Sequence, residues 1–236
     1  MTHLLEISNI SKLYKNGKGI KNISFNIDSG EIYGILGEVE SGKTTIMRIL
    51  AGDLHADFGN VLVENCNVED GIIKNVKSLF NPPILYNNLT ASDHLKLAAK
   101  WLENMDKEYI DYLLNLTRLS DYVIEPVKEY TESMKLRLRL AIIFLTYPKL
   151  VILDEPGSGM DMESLYILRI ILLEQVKKGT SFLISSENTF QMELMCDRVA
   201  ILKNGQLVAK SSMKKILLKY FSLEDYYNYS NKLKWH

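Results

Sequence analysis

Short apolar segments separated by turn residues predict a mixed α/β fold. The predicted strands are Leu4–Ile7, Ile23–Ile27, Ile32–Leu36, Val61–Glu64, Val76–Phe80, Leu150–Leu153, Ser181–Ile184, Val199–Leu202 and Gln206–Ala209. Helices are expected over Lys43–Ala51, Met162–Lys177 and Thr189–Met195. The segment Ile32–Leu36 is mostly apolar, which is typical of a strand buried on both faces. A strand, a glycine-rich loop and a helix in this order begin an α/β sheet.

The middle of the chain has a different pattern. From Leu89 to Tyr147 the sequence predicts almost only helices, and Thr90 with Asp93 resembles a helix capping box. Further helices are expected over Asp106–Leu116 and Met134–Phe144. We therefore expect one α/β core, residues 1–80 and 149–236, interrupted by an all-helical subdomain at about residues 81–148.

Composition narrows the class of protein. The chain has 28 basic and 29 acidic residues, a formal charge of −1, which argues against a protein that neutralises many nucleic-acid phosphates. No apolar stretch approaches the ~20 residues of a membrane-spanning helix, and the first residues lack a signal-peptide pattern. Cys66 and Cys196 are too far apart to suggest a metal clip or a redox pair. We expect a cytosolic chain.

The clearest chemical signal is Gly37–Thr44, which has the spacing Gly, four residues, Gly-Lys-Thr. Glycines let successive backbone N–H groups point at phosphate oxygens where a helix begins, and the helix dipole also favours an anion. Lys43 is expected to reach the β- and γ-phosphates, and the Thr44 hydroxyl to ligate Mg²⁺. The expected nucleotide-binding residues here are Gly37, Glu38, Val39, Glu40, Ser41, Gly42, Lys43, Thr44 and Thr45.

A second segment supports this prediction. Leu150–Glu155 is an apolar strand that ends in two carboxylates. In a parallel sheet, this end lies on the edge that faces the phosphate loop. We expect Asp154 to hold the Mg²⁺ through water and Glu155 to orient the attacking water as general base.

Together these segments resemble the nucleotide-binding subunit of ATP-binding cassette (ABC) transporters, over essentially the whole chain. The resemblance implies a single ABC domain with a P-loop NTPase (RecA-like) core, an N-terminal antiparallel β subdomain and the inserted all-helical subdomain. It implies ATP and Mg²⁺ as cofactors. The implied partners are separate transmembrane permease subunits and a second ATP-binding subunit, with no nucleic acid. The chain would then lie peripherally on the cytoplasmic face of the cell membrane.

Three further segments carry the resemblance. Tyr14 lies where the family places an aromatic ring that stacks on adenine, and Asp161 matches the aspartate of the D-loop. Leu85–Thr90 resembles the stretch after the Q-loop in single-domain bacterial subunits of the drug, antibiotic and bacteriocin peptide group.

The signature motif departs from the family. There, Leu-Ser-Gly-Gly-Gln of one subunit completes the ATP site of its partner; the matching residues here are Tyr130–Met134. Thr131 and Ser133 are the expected nucleotide contacts, but Glu132 brings a carboxylate to a position that needs close backbone approach. Pointing inward, it would repel a phosphate charge ~4 Å away by about 4 kcal/mol at an effective dielectric near 20. Turned to solvent, its cost is largely steric.

Two more positions differ. The Q-loop glutamine, which touches the metal, corresponds to Asn81, and the switch histidine corresponds to Glu187. An ionised glutamate cannot donate a hydrogen bond to the γ-phosphate as histidine does. The expected catalytic residues are Glu155, Lys43 and Glu187, and the expected metal contacts are Thr44, Asn81 and Asp154. The histidines His3, His55, His94 and His236 are expected at the surface or as helix caps.

The leading hypothesis is an ATP-binding subunit that drives export, with slow or asymmetric hydrolysis. The alternative is a non-hydrolytic nucleotide-sensing or immunity subunit that acts as an ATP-dependent switch. A soluble ABC ATPase outside transport is a third, weaker class. In the tail, Lys214–Lys219 predicts either a basic amphipathic helix that touches lipid or a final helix packed on the core. The aromatic residues Tyr226, Tyr227, Tyr229 and Trp235 predict packing or a dimer contact.

Overall fold

A computed structural model describes residues 3–67, 75–80, 82–102 and 107–232. The chain forms two compact units. The first comprises Met1–Phe80, Lys149–Ser158 and Gln175–His236, and the second comprises Asn81–Pro148 and Gly159–Glu174.

The first unit contains two sheets. A four-stranded antiparallel sheet has the order β2-β1-β4-β5, formed by β1 (Leu5–Leu13), β2 (Gly19–Ile27), β4 (Phe58–Val63) and β5 (Cys66–Asn67). A six-stranded sheet has the order β10-β9-β3-β8-β7-β6, formed by β3 (Ile32–Leu36), β6 (Val76–Ser78), β7 (Leu150–Leu153), β8 (Ser181–Ser186), β9 (Arg198–Lys203) and β10 (Gln206–Ser212). All neighbouring pairs in this sheet are parallel except β9 with β10, which form a hairpin.

The central strands are buried on both faces, as their apolar runs predict. Every residue of β3, β7 and β8 is buried. Because these strands are parallel, their carboxyl ends meet at one edge of the sheet. This edge therefore brings together Leu36 and the loop after it, Asp154 and Glu155 after β7, and the end of β8.

The first unit also contains α1 (Lys43–Leu50), α6 (Thr189–Met195), α7 (Met213–Lys219) and α8 (Leu223–Lys232). Helix α1 buries Ile46, Met47, Ile49 and Leu50 in the core. The tail prediction of a helix packed on the core is confirmed in part, since α7 buries Met213 and Ile216.

The second unit is helical. It contains α2 (Ala91–Ala99), α3 (Lys107–Leu116), α4 (Glu132–Phe144) and most of α5 (Met162–Lys177). The capping box predicted for α2 is confirmed: the Thr90 side chain accepts a hydrogen bond from Asp93 N–H, and Asp93 accepts one from Thr90 N–H. In the described residues, no helix is both long and apolar enough to cross a bilayer.

The prediction for His94 is wrong. It is 3% exposed, and both ring nitrogens form hydrogen bonds with the main chain of its own unit. Nδ1–H donates to the Thr90 carbonyl at 2.8 Å, and Nε2 accepts from Tyr86 N–H at 2.8 Å. A histidine with two main-chain partners can be buried without losing hydrogen bonds. His55 is exposed, His3 is partly exposed, and His236 lies outside the described residues.

Candidate nucleotide-binding site

The phosphate loop, residues 37–42, joins β3 to α1 and is held too tightly for side chains at two of its glycines. A Cβ on Gly37 would lie 2.5 Å from the Leu202 carbonyl oxygen. Gly42 has a φ of 108°, and a Cβ there would lie 2.6 Å from Ile20 Cγ2. Glycine is therefore required at both positions because a larger residue would clash with neighbouring atoms.

The hairpin between β9 and β10 supports the loop from outside. Gly205 N–H donates to the Ser41 carbonyl at 2.9 Å, and Lys21 N–H donates to the Gly205 carbonyl at 2.8 Å. Gly37 N–H donates to the carbonyl of Ser186, the last residue of β8, at 3.2 Å. The β9–β10 turn and β8 therefore hold the two ends of the loop, and β2 holds the turn in place.

Lys43, the first residue of α1, is turned back into the loop. Its side chain is 7% exposed, and its ammonium donates to the carbonyls of Gly37 at 2.7 Å and Glu38 at 3.0 Å. It also forms an ion pair with Glu155 Oε1 at 3.2 Å. The structure thus places the predicted phosphate-binding lysine and the predicted general base in direct contact.

Asp154 is held from two sides. The Thr44 hydroxyl donates to Asp154 Oδ2 at 2.9 Å, and the Ser185 hydroxyl donates to Oδ1. The same Ser185 oxygen accepts a hydrogen bond from Glu155 N–H at 2.9 Å. The sequence analysis missed Ser185; the signal available was a polar Ser-Ser pair ending an apolar strand at the same sheet edge.

These groups fit a magnesium nucleotide. Hydroxyl and carboxylate oxygens such as those of Thr44 and Asp154 are the hard ligands Mg²⁺ prefers, and Mg²⁺ commonly binds one or two protein ligands together with phosphate and water. The Ser41 hydroxyl is buried and has no hydrogen-bond partner among the described residues. A phosphate oxygen in this glycine-lined loop would satisfy the donor.

A cleft of about 330 Å³ adjoins the loop. It is lined by Tyr14, Asn16, Lys18, Gly19, Glu40, Ser41, Gly42, Lys43, Thr44 and Thr45. The Tyr14 side chain is 40% exposed, and its hydroxyl lies 3.3 Å from Thr45 Oγ1. The structure therefore brings the expected adenine-stacking residue to the expected phosphate site.

The loop carries two acidic residues, Glu38 and Glu40, and each lies beside a residue outside the loop. Glu40 has a φ of 62° and forms an ion pair with Lys18 at 2.5 Å, and the hydrogen bond from Lys18 lowers the pKa of Glu40. Glu38 faces Tyr227 of α8: burial raises the pKa of the Tyr227 hydroxyl, and the Glu38 carboxylate raises it further. Val39 is exposed.

Glu187 directly follows β8 and has an exposed side chain, so the sheet edge carries a carboxylate after its central strand. Asn81, the expected Q-loop residue, lies outside the described residues.

The signature residues lie in the second unit, at the start of α4. Thr131 caps this helix, since its hydroxyl accepts a hydrogen bond from Met134 N–H at 3.2 Å. The Glu132 side chain is 81% exposed and forms an ion pair with Lys135 at 2.8 Å, which lowers the pKa of Glu132. The Ser133 hydroxyl is buried without a partner in the part of the chain that the structure describes.

Comparison with known proteins agrees with this geometry. The profile of the ABC transporter family matches residues 20–158. The uncharacterized ABC transporter ATP-binding protein YhcH of Bacillus subtilis is 34% identical over 218 residues, covering 91% of this chain and 72% of that protein. The lantibiotic transport ATP-binding protein SrtF of Streptococcus pyogenes is 32% identical, covering 87% and 89%. The bacitracin transport ATP-binding protein BcrA of Bacillus licheniformis is 30% identical, covering 95% and 76%.

A solved structure described as the ATP-binding subunit of an ABC transporter superimposes with a TM-score of 0.81 at 27% identity, covering 97% of this chain and 99% of that one. The fold is therefore the P-loop NTPase fold predicted from the sequence. The chain belongs to the ABC transporter family. Within that family it is an ATP-binding protein, and the resemblance drawn from its motifs is confirmed.

Proposed function

We propose that this chain is the ATP-binding subunit of a bacterial ABC exporter that binds Mg-ATP, dimerises around it and drives export through separate transmembrane permease subunits. The whole chain, residues 1–236, acts as one ABC domain on the cytoplasmic face of the membrane. The relatives described as transporting a lantibiotic and bacitracin support an antibiotic or bacteriocin peptide as the exported class. The observation that carries the proposal is the joining of Lys43, Glu155, Asp154 and Thr44 at one sheet edge.

Lys43 binds the β- and γ-phosphates by exchanging its two loop carbonyls for phosphate oxygens. This exchange also releases Glu155 from its ion pair. The freed Glu155 carboxylate orients the attacking water and accepts its proton as the water oxygen bonds to the γ-phosphorus and the β–γ bridge breaks.

Thr44 and Asp154 hold the metal, and Ser185 fixes the direction of the Asp154 carboxylate. A bound Mg²⁺ supplies charge neutralisation for the phosphates. Tyr14 stacks on the base at the far side of the cleft.

Hydrolysis is proposed to be slow or asymmetric. Glu187 offers an exposed carboxylate where the family's histidine donates to the γ-phosphate, and Glu132 adds a carboxylate to the signature of the second unit. In a dimer with a different subunit, the ATP site that uses this chain's signature would hydrolyse ATP slowly. The site that uses the partner's signature would hydrolyse it faster.

The second candidate is a non-hydrolytic nucleotide sensor or immunity subunit. The observations that favour it are the same two carboxylates, Glu132 and Glu187. Such a subunit would bind Mg-ATP and dimerise without turning it over.

Calorimetry on the purified chain tests nucleotide binding. Wild type should bind Mg-ATP, Lys43→Ala should lose at least tenfold in affinity, and Lys210→Ala, an exposed lysine of the same unit, should bind as wild type does. No heat from wild type, or equal affinity of Lys43→Ala, would contradict the proposal.

Turnover with co-purified permease separates the two candidates. An exporter subunit should hydrolyse ATP below the ordinary enzyme range of about 1–10³ per second and lose turnover in Glu155→Gln while still binding ATP. Equal turnover in Glu155→Gln and wild type would favour the sensor.

A further inference from the structure

An apolar patch at the junction of α7 and α8 lies outside the nucleotide site. We call it the tail patch, and it consists of Lys214, Lys215, Leu217, Leu218, Phe221 and Glu224. Phe221 is 100% exposed, Leu218 79% and Leu217 46%. Single exposed apolar residues are common, but three within five positions, with phenylalanine fully in solvent, mark an interaction surface.

The patch is held in place from both sides. Met213 and Ile216 bury the inner side of α7, and Leu223 at the start of α8 is 0% exposed. Leu223 N–H also donates to Glu193 Oε2 of α6 at 2.7 Å. Phe221 therefore projects from a short link between two anchored helices.

The residue before Phe221 is also fixed. The Tyr220 ring packs against Tyr226 at 5.2 Å and against Tyr229 at 5.4 Å between centroids. Tyr226 and Tyr229, two of the aromatic residues predicted to serve packing or a dimer contact, thus form the support on which Phe221 is presented. Trp235, from the same prediction, lies outside the described residues.

The charges around the patch are self-complementary. Along the chain, the exposed residues Lys214, Lys215 and Lys219 precede Phe221, and the exposed residues Glu224 and Asp225 follow it in the first turn of α8. In a two-fold contact, a lysine of each copy can meet the Glu224 side chain of the other copy. Two lysine–glutamate contacts would then flank a centre of leucine and phenylalanine.

We propose that the tail patch binds the tail patch of a second copy of this chain. A purely lipid-binding surface would not need the acidic side of the patch, because anionic headgroups repel Glu224. The proposal does not depend on nucleotide binding, since no residue of the patch belongs to the phosphate loop or its cleft.

The contact is expected to be weak. A fully buried aromatic side chain contributes roughly 150–250 Å², so the three apolar residues supply on the order of 400 Å² per copy. This lies below the roughly 800 Å² per partner of a standard stable interface. We expect self-association that is detectable only at tens to hundreds of micromolar, on the scale of the weakest specific interfaces.

Sedimentation velocity of the full chain without nucleotide tests this proposal. Wild type should show a concentration-dependent dimer, Phe221→Ser should weaken it at least tenfold, and Phe58→Ser, which removes an exposed phenylalanine from β4, should leave it unchanged. Lys215→Glu and Glu224→Lys should each weaken the dimer alone, and an equimolar mixture of the two should recover it.

Three outcomes would overturn the proposal. The first is a wild-type chain that stays monomeric at about 1 mM, above the expected range. The second is a charge-swapped mixture no stronger than either variant. The third is a monomeric chain that co-sediments with phosphatidylglycerol–phosphatidylcholine vesicles through Phe221, which would assign the patch to lipid. The same measurements in Lys43→Ala should give the same results, which keeps this test separate from that of the proposed function.

Discussion

Ser185 contacts both acidic residues of the candidate site through a single hydroxyl. One hydroxyl donates to Asp154 and accepts from Glu155 N–H, so it fixes the metal-binding carboxylate and the backbone of the general base together. Glu155 also has a φ of 48°, a conformation that a residue with a side chain adopts only when its surroundings enforce it.

Replacing Ser185 by alanine should therefore separate metal binding from nucleotide binding. We expect Mg-ATP affinity to fall by about 10–100-fold, as for other groups that orient a metal ligand, while ATP affinity without Mg²⁺ stays the same. The free energy of unfolding should fall by about 1–3 kcal/mol, because two partly buried groups, the Asp154 carboxylate and Glu155 N–H, lose a partner. Calorimetry with and without Mg²⁺ and urea denaturation measure both effects.

Ser181→Ala is the matched control. Ser181 lies at the other end of β8, is equally buried and accepts a hydrogen bond from Gly30 N–H at 2.7 Å. It should lose stability without losing Mg-ATP affinity. If both serine variants bound Mg-ATP equally well, Ser185 would have no role in orienting the metal site.

Individual residues also show where sequence reasoning succeeds. The spacing of Gly37, Gly42 and Lys43 predicted the loop because each has a local steric or chemical requirement. Ser185 escaped because its role depends on β8 lying next to β7, which no local pattern encodes. The pairings of Glu40 with Lys18 and of Glu132 with Lys135 likewise required coordinates.

Among the secondary-structure elements, β1 and β2 show why predicted bounds can be too short. Both are longer than predicted, because the register shifts between Ile7 and Ile10 and between Ile10 and Lys12. Asn9 and Asn22 have φ values of 53° and 49° at these irregularities, so buried residues are spaced by three instead of two. A β-bulge breaks the alternation by which a strand is recognised. Strands β3 and β7, which are apolar throughout or nearly so, were predicted with their observed bounds.

The β9–β10 hairpin packs closely against β2 at Gly205. Gly205 has a φ of 73°, and a Cβ there would lie 2.0 Å from the Gly19 carbonyl oxygen. Gly205→Ala should push the hairpin away from β2 and from the Ser41 carbonyl it supports, which weakens both stability and nucleotide binding. We expect a loss of about 1–3 kcal/mol beyond the cost of the backbone conformation alone, as for other overpacked sites.

Gly179→Ala measures that backbone cost. Gly179 also has a positive φ, 94°, but a Cβ there meets nothing within 4 Å. Thermal and urea denaturation should show the smaller loss in this variant, and its Mg-ATP affinity should equal that of wild type. Equal losses in the two glycine variants would show that the hairpin does not support the loop.

For the whole molecule, the sequence predicted an α/β core with an inserted helical part but gave no sign that α5 contributes to two units. Residues Gly159–Glu174 cluster with Asn81–Pro148, whereas Gln175 and the residues after it cluster with the sheet. The apolar pattern of α5 is continuous, so the assignment depends on spatial neighbours alone. An amphipathic helix over Lys214–Lys219 was one of the two predictions for the tail, but the sequence did not indicate that Phe221 after it is fully exposed.

The residue at position 187 is expected to limit ATP turnover by the assembled protein. Glu187→His should restore a donor to the γ-phosphate and raise turnover with permease by about tenfold or more, within the range of a positioned proton-transfer or hydrogen-bonding group. Glu187→Ala, which removes the carboxylate without adding a donor, separates relief of repulsion from the gain of a hydrogen bond. Steady-state phosphate release measures both. A Glu187→His variant no faster than Glu187→Ala would place the rate limit elsewhere.

The contacts that Lys43 makes without a ligand also affect which ligands can bind. Its ammonium is already satisfied by two carbonyls and a carboxylate, so any newcomer must replace three partners at once. A single phosphate would have to displace these partners through the ammonium alone, whereas a polyphosphate chain would also engage the loop amides and hydroxyls. We therefore expect the loop to bind molecules that carry several phosphoryl groups in a row more tightly than single small anions.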